Sequence, residues 1–322
     1  MTLSGSTPQA AEASLNRGYQ LRPRRGALMY QQWCDLLFLH WEYSAKDIQA
    51  TLPEGLFVDT FGGKAYLGIV PFFMRGIRPR FLPTVPGISD FLEMNLRTYV
   101  VDRAGVPGVW FYSLDANQWL AVKIARLFFN LPYEHARMKS TRSPDGRIQY
   151  ESKRLLPQGN DIVCAFDYAA GSDLPRPAYG SLEFFLVERY RLYSSTQTGL
   201  RRGKVAHEPY PLCHADVTRW DENLLRLNGF APTGRRPDHI VMSRGVDVTI
   251  FRSNASDPIS LELRLWNCSK NSKSLPMRQS TMPRVRAAVL RARTQEAARE
   301  WAQRGARVYA IPMLLMVAVF RC

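Results

Sequence analysis

Apolar residues recur along this chain in short runs separated by turn-formers, and most runs are too short for helices. Trp33 to Trp41 is almost continuously apolar, broken by Asp35, which suits a strand buried on both faces. Ser44 offers an N-cap, and residues 45–52 can turn twice before Pro53 stops them. Gly62-Gly63 between the runs 57–61 and 65–74 predicts a hairpin. Two further strand pairs are predicted: 94–101 with 108–114 across Asp102-Arg103-Ala104-Gly105, and 133–141 with 147–155 across Ser143-Pro144-Asp145-Gly146. Residues 162–168, 190–194, 205–220 and 240–251 read as strands, and Ser181 can cap a short helix reaching Glu188. Residues 117–130 carry Trp119, Leu120, Val122, Ile124, Leu127 and Phe128 at helical spacing before Pro132. Many strands with a few helices predict an α+β fold with an antiparallel sheet, closed or nearly closed.

Strand alternation sorts the polar residues. From Glu93 to Val101, the positions Glu93, Asn95, Arg97 and Tyr99 share one face, and Met94, Leu96, Thr98 and Val100 the other. From Tyr133 to Lys139, the residues Tyr133, His135, Arg137 and Lys139 alternate with Glu134, Ala136 and Met138. By the same count Ser113 and Asp115 share a face with Phe111. Two readings of these faces stand open: a solvated outer surface, or the lining of a pocket. In the second, Arg97 holds an anionic or carbonyl-bearing ligand and Glu93 and His135 handle protons, while Asn95, Tyr99, Ser113, Asp115, Tyr133 and Arg137 complete the lining. A structural ion pair between Arg97 and Glu93 is an intermediate possibility.

Composition sharpens the domain picture. With 46% hydrophobic residues, the 322-residue chain has enough material for a sizeable core, so disorder is not the starting assumption. The formal charge of +15 is concentrated at the ends. Residues 254–322 hold 12 Lys/Arg against 4 Asp/Glu and residues 1–27 hold 4 against 1, whereas residues 28–253 hold 27 against 23. The expected organisation is a flexible arm over 1–27, a folded domain over 28–253 and a basic extension over 254–322 with a helix near 283–304. Nucleic acid is expected as a partner only through that tail. Cys34, Cys164, Cys213, Cys268 and Cys322 form no CxxC pair, which fits reduced thiols and a cytoplasmic location. No signal peptide is evident. The apolar run 308–320 is about 13 residues long, short of the roughly 20 that span a bilayer.

Several segments resemble the YqjF-like family, a family of unknown function related to acetoacetate decarboxylase. They are Trp33 to Trp41, Leu52 to Arg80, Asn95 to Tyr99, Gly108 to Asp115, Leu131 to Met138 and Pro237 to Asp247, in the family's order. The resemblance covers roughly residues 31–251 and implies an acetoacetate-decarboxylase-like β-barrel with an internal ligand cavity. It does not extend to the chemistry. Acetoacetate decarboxylases use a lysine Schiff base activated by an adjacent lysine after a Tyr-Pro pair. Here the corresponding stretch is Leu131-Pro132-Tyr133-Glu134-His135, and no Lys-Lys occurs in the chain.

Other chemistries find little support. Ser113, Asp115 and His135 supply the side-chain types of a hydrolytic triad without a G-x-S-x-G elbow. His207, Cys213, His214 and Asp216 lack converging metal-ligand spacing, since Cys213 and His214 point to opposite faces of a strand. Cys34 and His40 share a face by position count and read as strand core. No Gly-rich phosphate loop precedes a helix. The expectation is therefore a β-barrel binding a small molecule and possessing no metal or other cofactor; whether it is an enzyme, on a carbonyl or carboxylate compound, is left open. The alternative is a non-catalytic scaffold whose basic tail binds nucleic acid or anionic surfaces. The oligomeric state is left open.

Overall fold

The aromatic and β-branched runs pair into one sheet of twelve strands, among the residues described by this computed structural model: 26–120, 122–123, 131–156, 161–196 and 199–251. In chain order the strands are β1 (Ala27–Tyr43), β2 (Leu56–Val58), β3 (Ala65–Pro79), β4 (Phe91–Asp102), β5 (Pro107–Ala116), β6 (Tyr133–Arg142), β7 (Ile148–Arg154), β8 (Cys164–Asp173), β9 (Arg191–Thr196), β10 (Gly199–Ala206), β11 (Leu212–Arg219) and β12 (His239–Phe251). Short helices α1 (Ala45–Thr51), α2 (Leu182–Val187) and α3 (Asn223–Leu227) lie between them. Ser44 Oγ accepts from Asp47 N and Ser181 Oγ from Phe184 N, so both expected caps form. Residues 119–120 and 122–123 are helical, with Val122 N donating to Gln118 O. The remainder of the helix expected over 117–130 lies outside the described residues, as do the helix expected at 283–304 and nearly all of the arm.

The sheet closes twice. β5 splits one edge between β9, paired through Val109 and Trp110, and β6, paired through Leu114 to Ala116. β12 does the same, with β11 at Met242 and Ser243 and β10 from Thr249 to Phe251. The strands β12-β1-β3-β4-β5 are therefore a shared wall. Closed through β9 and β10 they make a ring of seven strands, and closed through β6, β7, β8 and β11 a ring of nine. Both of β5's branch pairings are parallel, in an otherwise antiparallel sheet.

A wall with two enclosed faces needs apolar residues on both, and the core divides accordingly. Leu37, Leu39, Trp41, Leu67, Ile69, Met94 and Leu96 fill the nine-strand ring with Tyr150, Phe166 and Tyr168 from its far side. Leu36, Phe38, Tyr66, Val70, Phe72 and Tyr99 face the seven-strand ring, where Val205 and the α2 residues Leu186 and Val187 meet them. Burying each of the larger side chains contributes about 1.5–3 kcal/mol.

Three details depart from the sequence reading. β2 pairs with β4, and the turn at Gly62-Gly63 closes only the bridge between Phe61 and Lys64, so the expected hairpin is replaced by a step from one edge to another. The expected strand 205–220 is two strands, β10 and β11, because Pro209 and Pro211 have no N–H to donate to a ladder. The start of β10 and helix α3 were not anticipated.

Candidate interior anion site

Four strands of the shared wall bring one row of side chains together. Across it His239 of β12 lies opposite His40 of β1, His40 opposite Gly68 of β3, and Gly68 opposite Arg97 of β4. Directly opposed residues share a face, and this row faces the seven-strand ring beside Phe38 and Tyr99. The missing side chain at Gly68 is essential to the arrangement. A Cβ there would sit 2.9 Å from His40 Cδ2 and 3.3 Å from the Tyr99 hydroxyl. The vacant space lets Tyr99 Oη reach His40 Nε2 at 2.7 Å, while His40 Nδ1 meets His239 Nδ1 at 2.9 Å.

Arg97 is 7% exposed and forms no ion pair among the described residues. One guanidinium nitrogen donates to Leu186 O at 3.2 Å, and the Cζ lies 5.3 Å from the Phe38 ring centre and 5.7 Å from that of Tyr99. The Cζ of Arg189 lies 5.3 Å from the same Tyr99 ring centre, but its charge is answered by Asp59 at 2.8 Å. Aromatic faces and one carbonyl are weak compensation for a desolvated cation, which costs several kcal/mol without a counter-ion.

Unpartnered polar atoms gather on the same face. Asn95 Oδ1, Arg97 Nε, His207 Nε2, His239 Nε2 and Ser243 Oγ are buried without a hydrogen-bond partner among the described residues. Asn95 lies opposite Val70 and Ser243 opposite Leu36, both residues of the seven-strand core. His207 packs against Trp33, Tyr190 and Tyr210. Buried polar groups are ordinarily satisfied, and each exception asks for an explanation.

The electrostatics follow from burial. Desolvation, then His239 and then Arg97, hold the His40 imidazole well below the usual histidine range. Desolvation draws His207 down to about 4, with Arg97 acting in the same direction. His239 is lowered by burial against the opposing influence of Glu183. The three rings are thus neutral at pH 7 and able to donate at one nitrogen and accept at the other. Burial also raises Tyr99, although Arg97 and Arg189 pull it down.

The polar face of β4 expected from alternation is real and faces inward. Glu93, Asn95, Arg97 and Tyr99 are all buried along it. Glu93 accepts from the Tyr133 hydroxyl at 2.9 Å. Burial pushes its carboxyl up to about 8, against the lowering effect of Tyr133 and with a further push from Asp115. Glu93 and Arg97 are four residues apart on an extended strand, about 13 Å, and form no ion pair. They belong to two ends of the lining.

Ser113 and Asp115 lie on the other face. A bulge at Tyr112 places Arg97 opposite Phe111 but Leu96 opposite Ser113, which inverts the alternation. In the nine-strand ring Arg154 grips Asp115 with bonds of 2.9 and 2.7 Å and Ser113 at 2.8 Å, so this group is a structural clasp. On β6 the row that starts at the buried Tyr133 contact reaches solvent where the strand leaves the shared wall. His135 is half-buried and Arg137 exposed. The structure joins Tyr133 to the lining and leaves Arg137 outside it.

The residues not anticipated are His40, His239, His207 and Ser243. Cys34 and His40 do not share a face: Asp35, at φ 50°, introduces a bulge that sends Cys34 to one core and His40 to the other. Among the described residues no lysine is buried, and no group of three or more His, Cys, Asp or Glu is placed to hold a metal ion. No helix among them is long and apolar enough to cross a membrane.

The profile of the DUF2071 family, an uncharacterized conserved protein, matches residues 30–247. The chain belongs to the DUF2071 family. This DUF2071 protein is 42% identical over 193 residues to the uncharacterized protein YqjF of Bacillus subtilis (strain 168), covering 59% of the chain and 77% of YqjF. Its fold is similar to that of the enduracididine biosynthesis enzyme MppR, complexed with the condensation product of pyruvate and imidazole 4-carboxaldehyde. The TM-score is 0.50 at 13% identity, over 70% of this chain and 88% of MppR. An acetoacetate decarboxylase-like enzyme from Sphingomonas wittichii RW1 is similar at TM-score 0.49 and 12% identity, over 71% and 92% of the two chains. The α+β fold of this DUF2071 protein is of the acetoacetate-decarboxylase-like type.

Proposed function

We propose that the seven-strand ring binds a small oxygen anion, a carboxylate in the first instance, at Arg97, and that the protein acts as an enzyme on a carbonyl-bearing carboxylate without a Schiff-base lysine. The observation that carries this reading is the buried guanidinium, which has no counter-ion among the described residues, on a face where Asn95, His207 and Ser243 also carry unused hydrogen-bonding atoms. An anion would offset the desolvation of Arg97, and its oxygens could accept from the unpartnered Arg97 Nε and from a hydroxyl or ring N–H on the same face. The alternation on β4, which singled out Arg97, supports the same placement. Glu93, protonated at neutral pH, is a hydrogen-bond donor farther along the lining. The free thiols of Cys34, Cys164 and Cys213 accord with a cytoplasmic setting.

Unfolding in urea with a panel of monocarboxylates and oxo acids tests the proposal. The pyruvate-derived ligand of MppR makes pyruvate a sensible first member. A ligand at a hundred times its Kd stabilises the fold by about 2.7 kcal/mol. Stabilisation by at least one anion, abolished in Arg97→Met, is the expected result. A flat response across the panel, or an equal response in the variant, would remove Arg97 from the role.

A further inference from the structure

The row behind Arg97 does more than line the site. Tyr99 Oη, His40 Nε2, His40 Nδ1 and His239 Nδ1 form an unbroken sequence of short contacts, 2.7 Å and 2.9 Å, through groups that are all neutral. Its far end, His239 Nε2, has no partner among the described residues. His239 is the first residue of β12, at the end of the shared wall, and the charge acting on it is Glu183 of α2. Its near end, the Tyr99 phenol, has the guanidinium carbons of Arg97 and Arg189 at 5.7 and 5.3 Å from its ring centre, and such cations favour negative charge on a neighbouring oxygen.

We propose that Tyr99, His40 and His239 are a proton wire. Its inner end gives a proton to the carbonyl oxygen of a small oxo carboxylate anchored on Arg97, and its outer end, on a ring that is 9% exposed although Nε2 itself is buried, takes the replacement through a water that enters beside that nitrogen. The inference rests on the anion reading above. The balance is simple. As water adds to the carbonyl carbon, its C–O π bond breaks and the oxygen takes the Tyr99 proton. His40 Nε2–H then passes its proton to Tyr99, His239 Nδ1–H passes its own to His40 Nδ1, and His239 Nε2 takes one from solvent. The added water loses one proton to solvent, and the product is the hydrated carbonyl. After one passage each ring holds the opposite tautomer, so the wire is set to carry a proton outward and resets when the reaction reverses.

The contact between two Nδ1 atoms makes a demand that needs no ligand. One histidine of the pair must carry its proton on Nδ1 and the other must not, since two bare or two protonated nitrogens would repel. Nitrogen-15 spectra of histidine-labelled full-length protein at pH 7 should show one of the two as the Nδ1–H tautomer and both as neutral. Two Nε2–H tautomers, or a charged ring, would overturn the wire.

Loss of 18O from labelled 2-oxobutyrate into water measures proton delivery to the carbonyl oxygen. Wild-type protein should accelerate it above the buffer rate. Tyr99→Phe and His239→Gln should each lose about a hundredfold, as expected for a positioned general acid. Acetate has no ketone carbonyl to hydrate, and its affinity should stay within about twofold in His239→Gln, whose amide can still bond His40. Retained acetate binding with an undiminished exchange rate in His239→Gln, or wild-type protein that binds acetate and accelerates nothing, would refute the wire and leave the anion site standing. Absence of acetate binding in wild-type protein would overturn both.

Discussion

The substitution Glu93→Gln isolates one buried ionisation from everything else in the fold. Glu93 is 2% exposed and its carboxyl is pushed up to about 8 by burial, from an ordinary value of 4.5. The folded protein therefore holds a proton there that the unfolded chain releases, and stability falls as pH rises between those two values. The contribution is fully present below pH 4.5 and gone above pH 8. At about 1.4 kcal/mol per pH unit, the whole interval is worth about 5 kcal/mol. The introduced amide would be nearly isosteric with the protonated acid and could still accept from Tyr133, so the variant keeps the contact and loses the titration. Urea unfolding of both proteins at fixed ionic strength from pH 5 to 9, followed by tryptophan fluorescence, gives the difference directly, since other titrating groups are common to the two. The variant should gain on wild type by about 1.4 kcal/mol per pH unit up to pH 8 and level off beyond it. A difference independent of pH would mean that Glu93 is ionised in the fold at neutral pH, and its assignment as a buried acid would fail.

Gly68→Ala should cost about 2 kcal/mol of unfolding free energy, because the new methyl meets a His40 ring held at both nitrogens; a neutral effect would show that the contact with Tyr99 is loose. Arg154→Met strands Asp115 in the nine-strand ring and should destabilise by about 3–5 kcal/mol, while the affinity for acetate is unchanged; a loss of affinity in protein that remains folded would place the clasp in the site. Acid should weaken the fold through His207, which stays neutral in the folded state down to about 4 but protonates near 6.5 when unfolded. That difference is worth about 3 kcal/mol as pH falls from 6.5 to 4, and His207→Gln should remove it from the pH profile of stability.

Local pattern carried much of the fold. The caps at Ser44 and Ser181, the turn at Asp102 and the hairpin at Asp145 are built from neighbours in sequence, and they form as read. Alternation along β4 likewise identified the buried polar row, since no irregularity separates Glu93 from Tyr99 on that strand. Where the parity argument failed, a bulge lay in the way: Tyr112 turned Ser113 and Asp115 to the other core, and Asp35 separated Cys34 from His40. A one-residue insertion in a ladder depends on the register of its partner, which the strand's own sequence does not contain. The His40–His239 pair was invisible for a related reason. Its members are 199 residues apart, and each alone reads as an ordinary histidine beside an apolar strand. The double closure of the sheet has the same origin, because β5 and β12 divide their edges among strands distant in sequence.

The most direct test of the account is the side-chain Nε–H resonance of Arg97 in full-length protein, assigned by its absence from Arg97→Met and followed during titration with sodium acetate against sodium chloride at equal ionic strength. The expected result is a saturable shift with acetate, and slow hydrogen exchange of that proton in the bound state, because an oxygen of the anion satisfies a donor left unpaired among the described residues. An Arg97 resonance that responds identically to acetate and chloride, with no saturation, would contradict it.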